Sequence, residues 1–350
     1  MNLYYDNIVY DLQNFGGIST YWYELTERLL NNPEVHIRFY ETSLENDNIL
    51  RRELNLSGSE VAVCKRNPKI FERFRTLDDW NFEQKSVFHS SYFRIPVSGS
   101  KVGVVCTIHD FTHDLFFSGP RVWIHNFAKR RTIERSDAII TVSENTKQDL
   151  LKFYPEVEPE RIHVIYNGVS EKFQQLPYNS DNGRLSLLYV GGRDHYKNFK
   201  FAVDLVQRHK EYTLNIVGAP LSAAEKVYLE KFLPGRFILH NHVSMEELNM
   251  LYNQAACLLY PSSYEGFGIP LLEAMRAGCP FLAFNRSSIP EVAGDAGYLL
   301  GELDLDEGTA ALEKIINNRA SFSQLGLVQA AKFSWDKCYD ETLNLYSSLI

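Results

Sequence analysis

Two glutamates eight positions apart, Glu265 and Glu273, bracket the turn Gly266-Phe267-Gly268-Ile269-Pro270. Ala256 to Tyr260 ahead of it is a short apolar run, the pattern of a buried strand, and Ser262 and Ser263 end it. Gly266 and Gly268 permit a tight turn and a close backbone approach to a ligand. Pro270 suits the first position of a helix, where its missing N–H would be unpaired anyway. Such a turn brings several backbone N–H groups, at the positive end of a helix dipole, to one point, which is an anion site. A carboxylate beside an anion would be repelled, so the two glutamates should face hydroxyl groups. The chemistry suits a ligand with one anionic part and one or two polyhydroxylated parts, a description that a sugar nucleotide meets. The plainer alternative is a strand–turn–helix junction with solvated glutamates, but that needs neither two glycines nor flanking acids.

A second group of residues points the same way. Leu188-Tyr189-Val190-Gly191-Gly192-Arg193-Asp194-His195-Tyr196-Lys197-Asn198 reads as a strand ending in two glycines, then two cations four residues apart before a helix. A departing diphosphate accumulates negative charge, which Arg193 would meet with forked hydrogen bonds and Lys197 as a point charge. Two surface cations after a turn are common; the pairing with the Glu265–Glu273 turn gives these weight. Asn14-Phe15-Gly16-Gly17-Ile18-Ser19 follows the first strand, yet it is neither a G-x-G-x-x-G nor a Walker sequence. A turn needing positive φ explains its glycines equally well. His109 closes the apolar run before it, and His89 ends another; a lone histidine in such a place is usually structural. Asp110 points to the opposite strand face from His109, and no catalytic role is assigned to it.

The elements that must position these groups follow from the pattern. Short apolar runs alternate with amphipathic segments throughout, as in an α/β protein with parallel sheets. Strands are expected near residues 3–5, 36–40, 87–89, 102–107, 138–142 and 163–166, then 185–190, 213–217, 237–239, 256–260, 281–284 and 298–300. Asn167-Gly168-Val169 marks the boundary, before a polar connector from Gln174 to Gly183. The chain is expected to be two sheet domains, 1–169 and 170–335, facing across a cleft with Gly16 and Gly17 at its mouth.

With 350 residues, 45% hydrophobic, the chain can build two cores. Its net charge of −8 gives no overall reason to expect nucleic acid. Cys64, Cys106, Cys257, Cys279 and Cys338 are scattered, with no C-x-x-C pair, and are expected as reduced residues rather than metal ligands. No Asp-x-Asp or histidine cluster implies a metal. Met1 to Asp6 lacks a basic and apolar leader, and no apolar run approaches the ~18 residues of a membrane span, so a cytosolic chain is expected. Residues 61–135 carry thirteen bases against seven acids, a net +6, with Trp123, Ile124 and Phe127 interleaved among Arg121, Lys129, Arg130 and Arg131. An anionic membrane or lipid diphosphate would suit that pattern. A solvated helix with these apolar residues on its inner face explains it too and is the reading preferred here.

The turn Glu265-Gly266-Phe267-Gly268-Ile269-Pro270 with Glu273, together with Val190-Gly191-Gly192 and Lys197-Asn198, closely resembles the donor site of the family-four retaining glycosyltransferases. Val142-Ser143-Glu144-Asn145, Ile165-Tyr166-Asn167-Gly168-Val169 and Ser287-Ser288-Ile289-Pro290-Glu291-Val292-Ala293-Gly294 match the family as well. The resemblance covers nearly the whole chain and is strongest from Val190 to Gly297. It implies the GT-B architecture of two Rossmann-like domains, with a C-terminal helix of about 336–350 crossing back to the first, anchored by Trp335. It also implies a nucleoside diphosphate sugar as co-substrate, no metal or other cofactor, and retention at the anomeric carbon.

By that resemblance the catalytic groups are His109, Arg193, Lys197 and Glu265. Glu265 lies at the transferred sugar and Glu273 on the ribose hydroxyls. Gly266, Phe267, Gly268 and Ile269 belong to the donor cradle, and Gly16 and Gly17 lie under the diphosphate or acceptor. His195-Tyr196 stands where the family often has Pro-Arg, which leaves the nucleobase open, and Gly301-Glu302 departs from the family's Asp-Pro. The Gly-Gly-Ile-Ser and Ile-His-Asp variants look like bacterial polysaccharide mannosyltransferases, which implies GDP-mannose as donor and a glycan or lipid-linked oligosaccharide as acceptor. A nucleotide-sugar 2-epimerase on the same architecture and an inactive sugar-nucleotide-binding partner subunit are the alternatives.

Overall fold

The computed structural model describes residues 1–350 except 14–15, 44–45, 57, 59, 64–71, 73–74, 78–81, 84, 98–100, 178–184 and 242. Asn14, Phe15, Cys64, the charged residues Lys65, Arg66, Lys69, Arg73, Asp78 and Asp79, and 178–183 of the polar connector therefore lie outside the described residues. The chain forms two compact units, Met1–Asn167 with Trp335–Ile350, and Gly168–Ser334.

The first unit holds β1 (Asn2–Tyr5), β2 (His36–Glu41), β3 (Val61–Val63), β5 (Ser86–Ser90), β7 (Gly103–Ile108), β8 (Ala138–Thr141) and β9 (Ile162–Val164) in one sheet. Its order is β3-β2-β1-β5-β7-β8-β9, parallel throughout. β4 (Thr76–Leu77) and β6 (Ile95–Pro96) pair separately. The second unit holds β10 (Ser186–Val190), β11 (Thr213–Val217), β12 (Phe237–His240), β13 (Cys257–Tyr260), β14 (Phe281–Phe284) and β15 (Tyr298–Leu300) in the order β12-β11-β10-β13-β14-β15, also parallel. Both sheets are mixed with helices in α/β fashion, and the apolar runs of the sequence are their strands. β8 and β13 are buried at every residue, as strands covered by helices on both faces must be. The edge strand β12 is partly exposed instead.

In each sheet the order reverses beside the first strand, between β1 and β5 and between β10 and β13. Ligands of such sheets bind outside the carboxyl ends of the strands at this switch point. The loops leaving β10 and β13 hold the expected donor residues.

The C-terminal helix, Trp335–Ser347, belongs to the first unit. Trp335 is buried edge-on to Tyr21, and Asp336 pairs with Arg28 Nε at 2.7 Å. Near its other end Tyr346 Oη lies 2.8 Å from Tyr5 Oη and 2.5 Å from His89 Nδ1, while His89 Nε2 meets Thr107 Oγ1 at 2.9 Å. Both nitrogens of His89 are thus engaged under the helix and burial holds it well below its usual pKa, so it is a core residue and not a group of the site. Tyr346→Phe strands two buried polar groups and is expected to lower the unfolding free energy by about 1–3 kcal/mol, read from the urea midpoint. An unchanged midpoint would show that the Tyr346 hydroxyl adds nothing net to the hold on the helix.

Cys106, Cys257, Cys279 and Cys338 are buried. No helix among the described residues is long and apolar enough to cross a membrane.

Candidate active site

The loops that leave β10 and β13 are sewn together by backbone and side-chain bonds. After Val190 the chain turns at Gly191, φ +131°, and ends in a tight turn at His195–Lys197. Asn198 then adopts φ +51°, which asparagine tolerates better than most residues. Its Nδ2 donates to Pro261 O at 2.8 Å and to Ser263 Oγ at 2.7 Å, and Ser263 N donates to Tyr196 O at 2.8 Å. These bonds place Lys197 against Glu265. Lys197 Nζ lies 2.6 and 2.8 Å from the two carboxylate oxygens, with the side chains 16% and 12% exposed, so the pair is shielded yet reachable. Residues 68 positions apart meet at the switch point of the sheet.

The loop from 261 to 268 is held from the other side by two serines. Ser287, at φ +51°, accepts from Glu265 N at 2.8 Å and donates to Glu265 O at 2.9 Å. Ser288 Oγ lies 2.9 Å from Glu265 O and 3.0 Å from Phe267 O. Phe267 is buried edge-on to Phe333, so its ring anchors the turn. Gly268 takes φ +103°, a conformation that L side chains disfavour, and caps the Ile269–Arg276 helix. Pro270 is the second residue of that helix, not the first. Leu271 N bonds back to Gly268 O at 2.9 Å, and the first turn presents the positive end of the helix dipole at Gly268 and Ile269. Glu273, one turn on, accepts from Tyr252 Oη at 2.8 Å; burial pushes its carboxyl up to about 7, against the lowering effect of that hydrogen bond.

Arg193 is placed differently from the expectation of a cation free for a diphosphate. Its Nε donates to Glu225 Oε1 at 2.6 Å and its Nη2 to Ala219 O and Pro220 O at 2.9 and 3.0 Å. Glu225 also closes the capping box of the Ala223–Phe232 helix with Ser222. Burial works against the charge on Glu225, but bonds from Arg193 and Ser222 outweigh it and hold the carboxyl down to about 2. Only Nη1 of Arg193 is left without a hydrogen-bond partner. Gly218 makes room for it, since a Cβ there would lie 3.3 Å from Nη1 and 2.6 Å from Gly191 O. Arg193 is therefore first a strut of the β10 and β11 loops, and Lys197 is the cation joined to Glu265.

In the first unit, His109 follows the carboxyl end of β7. It is half-buried, edge-on to Tyr21 at 5.0 Å, with Nε2 shielded and unpartnered. Burial lowers its pKa to about 4, against the raising effect of Asp110, so the ring is neutral near pH 7. Asp110 accepts from Thr112 N at 2.9 Å, a local turn. Gly16 has φ 167°, which is extended backbone and not the positive-φ turn considered above. A Cβ there would lie 2.9 Å from Gln13 Oε1, the end of a flexible side chain that can move aside. Gly17 begins the Gly17–Leu30 helix and is exposed. Among the described residues no group of three His, Cys, Asp or Glu side chains is gathered as a metal site.

The family model for Glycosyltransferase Family 4 matches residues 15–173 and that for Glycosyl transferases group 1 matches residues 170–329. Together they take in nearly the whole chain. The chain belongs to the family-four glycosyltransferases. It is 26% identical over 369 residues to O-antigen chain mannosyltransferase B of Escherichia coli, covering 95% of this chain and 96% of that protein. It is 26% identical over 278 residues to the serotype-specific mannosyltransferase WbdA of Escherichia coli, covering 71% of this chain but 34% of that protein. This glycosyltransferase thus spans about a third of that longer relative. Its fold matches Anabaena HepE, solved with UDP and glucose, at TM-score 0.75 and 14% identity over 99% of both chains. Sucrose-phosphate synthase of Thermosynechococcus elongatus matches at TM-score 0.76 and 16% identity over 100% of this chain and 99% of that one. The fold is GT-B.

The residues of this glycosyltransferase that escaped sequence reasoning are the ones that hold others in place. Ser287, Ser288, Tyr252 and Glu225 each hydrogen-bond a named site residue, and Asn198 ties the loop of Lys197 to that of Glu265 through Pro261 and Ser263. Asn198 before a helix and Ser287-Ser288 before Ile289-Pro290 carried a signal as turn residues, but their partners lie far away in sequence.

Proposed function

We propose that this glycosyltransferase moves a mannosyl residue from GDP-mannose to a hydroxyl of a glycan or lipid-linked oligosaccharide during bacterial surface polysaccharide synthesis, with retention and without a metal. The observation that carries the reading of a nucleotide-sugar donor is the Lys197–Glu265 pair at the switch point of the second sheet, beside a helix N-terminus and Glu273. Lys197 and the N–H groups of Gly266 to Ile269 meet the diphosphate, Glu265 a hydroxyl of the transferred sugar, and Glu273 the ribose hydroxyls. Arg193 reaches the phosphates only through Nη1. In this reading Gly16 and Gly17 lie under the diphosphate or acceptor. Mannose is favoured by the names of similar proteins, which include MMP alpha-(1->4)-mannosyltransferase of Mycolicibacterium hassiacum and O-antigen chain mannosyltransferase RfbU of Salmonella typhimurium.

In the reaction the bond from the anomeric carbon to the phosphate oxygen breaks while one to the acceptor oxygen forms on the same face. The acceptor's proton passes to the departing phosphate oxygen, and Lys197 with the helix dipole balances the charge that develops there. The enzyme works from the cytoplasm at the inner face of the membrane, where a lipid-linked acceptor is presented.

His109 in this reading offers a neutral ring to the donor sugar or leaving phosphate. His109→Ala is expected to lower kcat by about a hundredfold, as for loss of one transition-state donor. With its pKa near 4, it contributes no limb to the rate profile between pH 6 and 8. Such a limb that vanished in His109→Ala would contradict a neutral role.

Incubation of the enzyme with nucleoside diphosphate sugars and an oligosaccharide acceptor in chelator, with NMR of the product, tests the whole reading. An α-mannoside from GDP-mannose supports it. A β-linkage ends the claim of retention, a different sugar ends the claim of mannose, and consumption of donor with an isomerised sugar as product would make the protein an epimerase.

A further inference from the structure

Six large apolar side chains crowd one short stretch of the first unit. Leu115 and Phe116 end the Thr112–Phe116 helix, Phe117 follows, and Trp123, Ile124 and Phe127 lie on the Pro120–Arg135 helix. Every one of the six is more than a third exposed, with Trp123 at 70% and Phe127 at 58%. Trp123, Ile124 and Phe127 were expected on the inner face of the helix; the structure puts them outside. The inner face is His125, Ala128, Lys129, Thr132 and Ile133, with Lys129 bound to Asp114 and lying over the Phe111 ring at 4.3 Å. The helix is therefore anchored without its aromatic face, and its outward rings have no role in the core. Trp123 and Phe127 stack on each other, centroids 6.0 Å apart at 19°, as a single plate. A contiguous apolar surface of this kind marks a contact with something else.

Charge says what that is. The nineteen residues from Leu115 to Ile133 contain no carboxylate, in a chain of net charge −8, and they include Arg121, Lys129, Arg130 and Arg131. Arg130 is taken up by Glu156 and Glu134, whereas Arg121 is exposed two residues from Trp123. Exposed rings beside an arginine, with the neighbouring Asp114, Glu134 and Glu156 each paired with a base, suit the boundary between headgroups and acyl chains of an anionic bilayer. We propose that this surface docks the enzyme on an anionic membrane, Phe116, Phe117, Trp123 and Phe127 entering the boundary and Arg121 meeting lipid phosphates. The stretch begins six residues after His109, so the loop leaving β7 carries a site candidate at one end and the docking rings at the other. Docking rests on the reading of a lipid-linked acceptor for its purpose, not for its chemistry.

Flotation of the full chain with vesicles tests it, using phosphatidylcholine alone and phosphatidylcholine with about one third phosphatidylglycerol. Wild type is expected to float with the anionic vesicles only, and less at high salt. Phe116→Ser/Phe117→Ser/Trp123→Ser/Phe127→Ser should reduce partitioning by at least about a hundredfold. Arg121→Glu should reduce it by at least about fivefold. All five positions are exposed and outside the donor cradle, so stabilisation by nucleotide serves as the control for folding. Failure of wild type to float, or equal flotation of the quadruple variant, overturns the proposal. So does a lipid-independent self-association that the quadruple variant abolishes, since the surface would then be covered by a second copy of the chain. Failure to float with sugar transfer intact removes the docking alone, and flotation without transfer from any donor removes the proposed function alone.

Discussion

Lys197→Ala is expected to lower kcat by about 10²–10³ while leaving the Michaelis constant for the acceptor unchanged. The reasoning is electrostatic. In the resting site Lys197 is matched against Glu265 at 2.6 Å, and both side chains are largely shielded from water. As the glycosidic bond breaks, charge moves onto the diphosphate, and a cation already in place meets it without reorganisation. A unit charge about 4 Å from the ammonium gains roughly 4 kcal/mol at the effective dielectric of a protein surface, in line with that rate loss. Removing the lysine also leaves the Glu265 carboxylate without its partner, which in the proposed reading stands beside the diphosphate, so the penalty has two parts. Glu265→Gln separates them, because it keeps Lys197 and loses only the repulsion and the sugar contact. A transfer rate for Lys197→Ala within tenfold of wild type would contradict the role given to the pair.

Glu273→Gln is expected to change the pH dependence of both stability and donor binding. Burial raises the carboxyl to about 7 from an ordinary 4.5. Between those values the native chain holds a proton that the unfolded chain has lost, so its contribution to stability is complete below about 4.5. It is lost as pH rises to 7, by roughly 3 kcal/mol at most. In the proposed reading two ribose hydroxyls donate to Glu273 beside Tyr252, which favours the ionised form with its full set of acceptors. Donor affinity should therefore rise about tenfold per unit as pH approaches 7 and level off above it. The glutamine variant should be flatter in stability, more stable than wild type above pH 7, and weaker for nucleotide by at least tenfold at pH 8. Parallel pH curves for wild type and variant would place Glu273 outside the donor site.

The fold was readable because its strands are short, apolar and bounded by glycine or polar residues. Thr213–Val217, Phe281–Phe284 and Tyr298–Leu300 fall where the apolar runs put them. Val61–Val63 was not foreseen, as three residues at a sheet edge carry too little pattern, and the two-residue strands at 76 and 95 carry none. The site was legible in part. Glycines at strand ends and the bracketing glutamates marked both halves of it, but the meeting of Lys197 with Glu265 depends on β10 lying beside β13. Arg193 shows the limit more sharply. Its partner Glu225 sits on a helix that follows the neighbouring strand β11, and nothing local to either residue announces the pair. The Pro120–Arg135 helix offered two stripes, one aromatic and one of His125, Ala128, Lys129, Thr132 and Ile133. Hydropathy favours burying the first. A lysine that finds Asp114 and an aromatic face buries the second.

The most direct test of the account is a thermal-shift panel of GDP, UDP, ADP and CDP, alone and as sugar conjugates, in chelator, with wild type beside Lys197→Ala and Glu273→Ala. At about a hundred times its dissociation constant a ligand stabilises the fold by about 2.7 kcal/mol, a shift of a few degrees. Such a shift is expected for GDP and GDP-mannose in wild type and is expected to be lost in both variants. A shift of equal size in the variants, or none with any nucleotide, would contradict it.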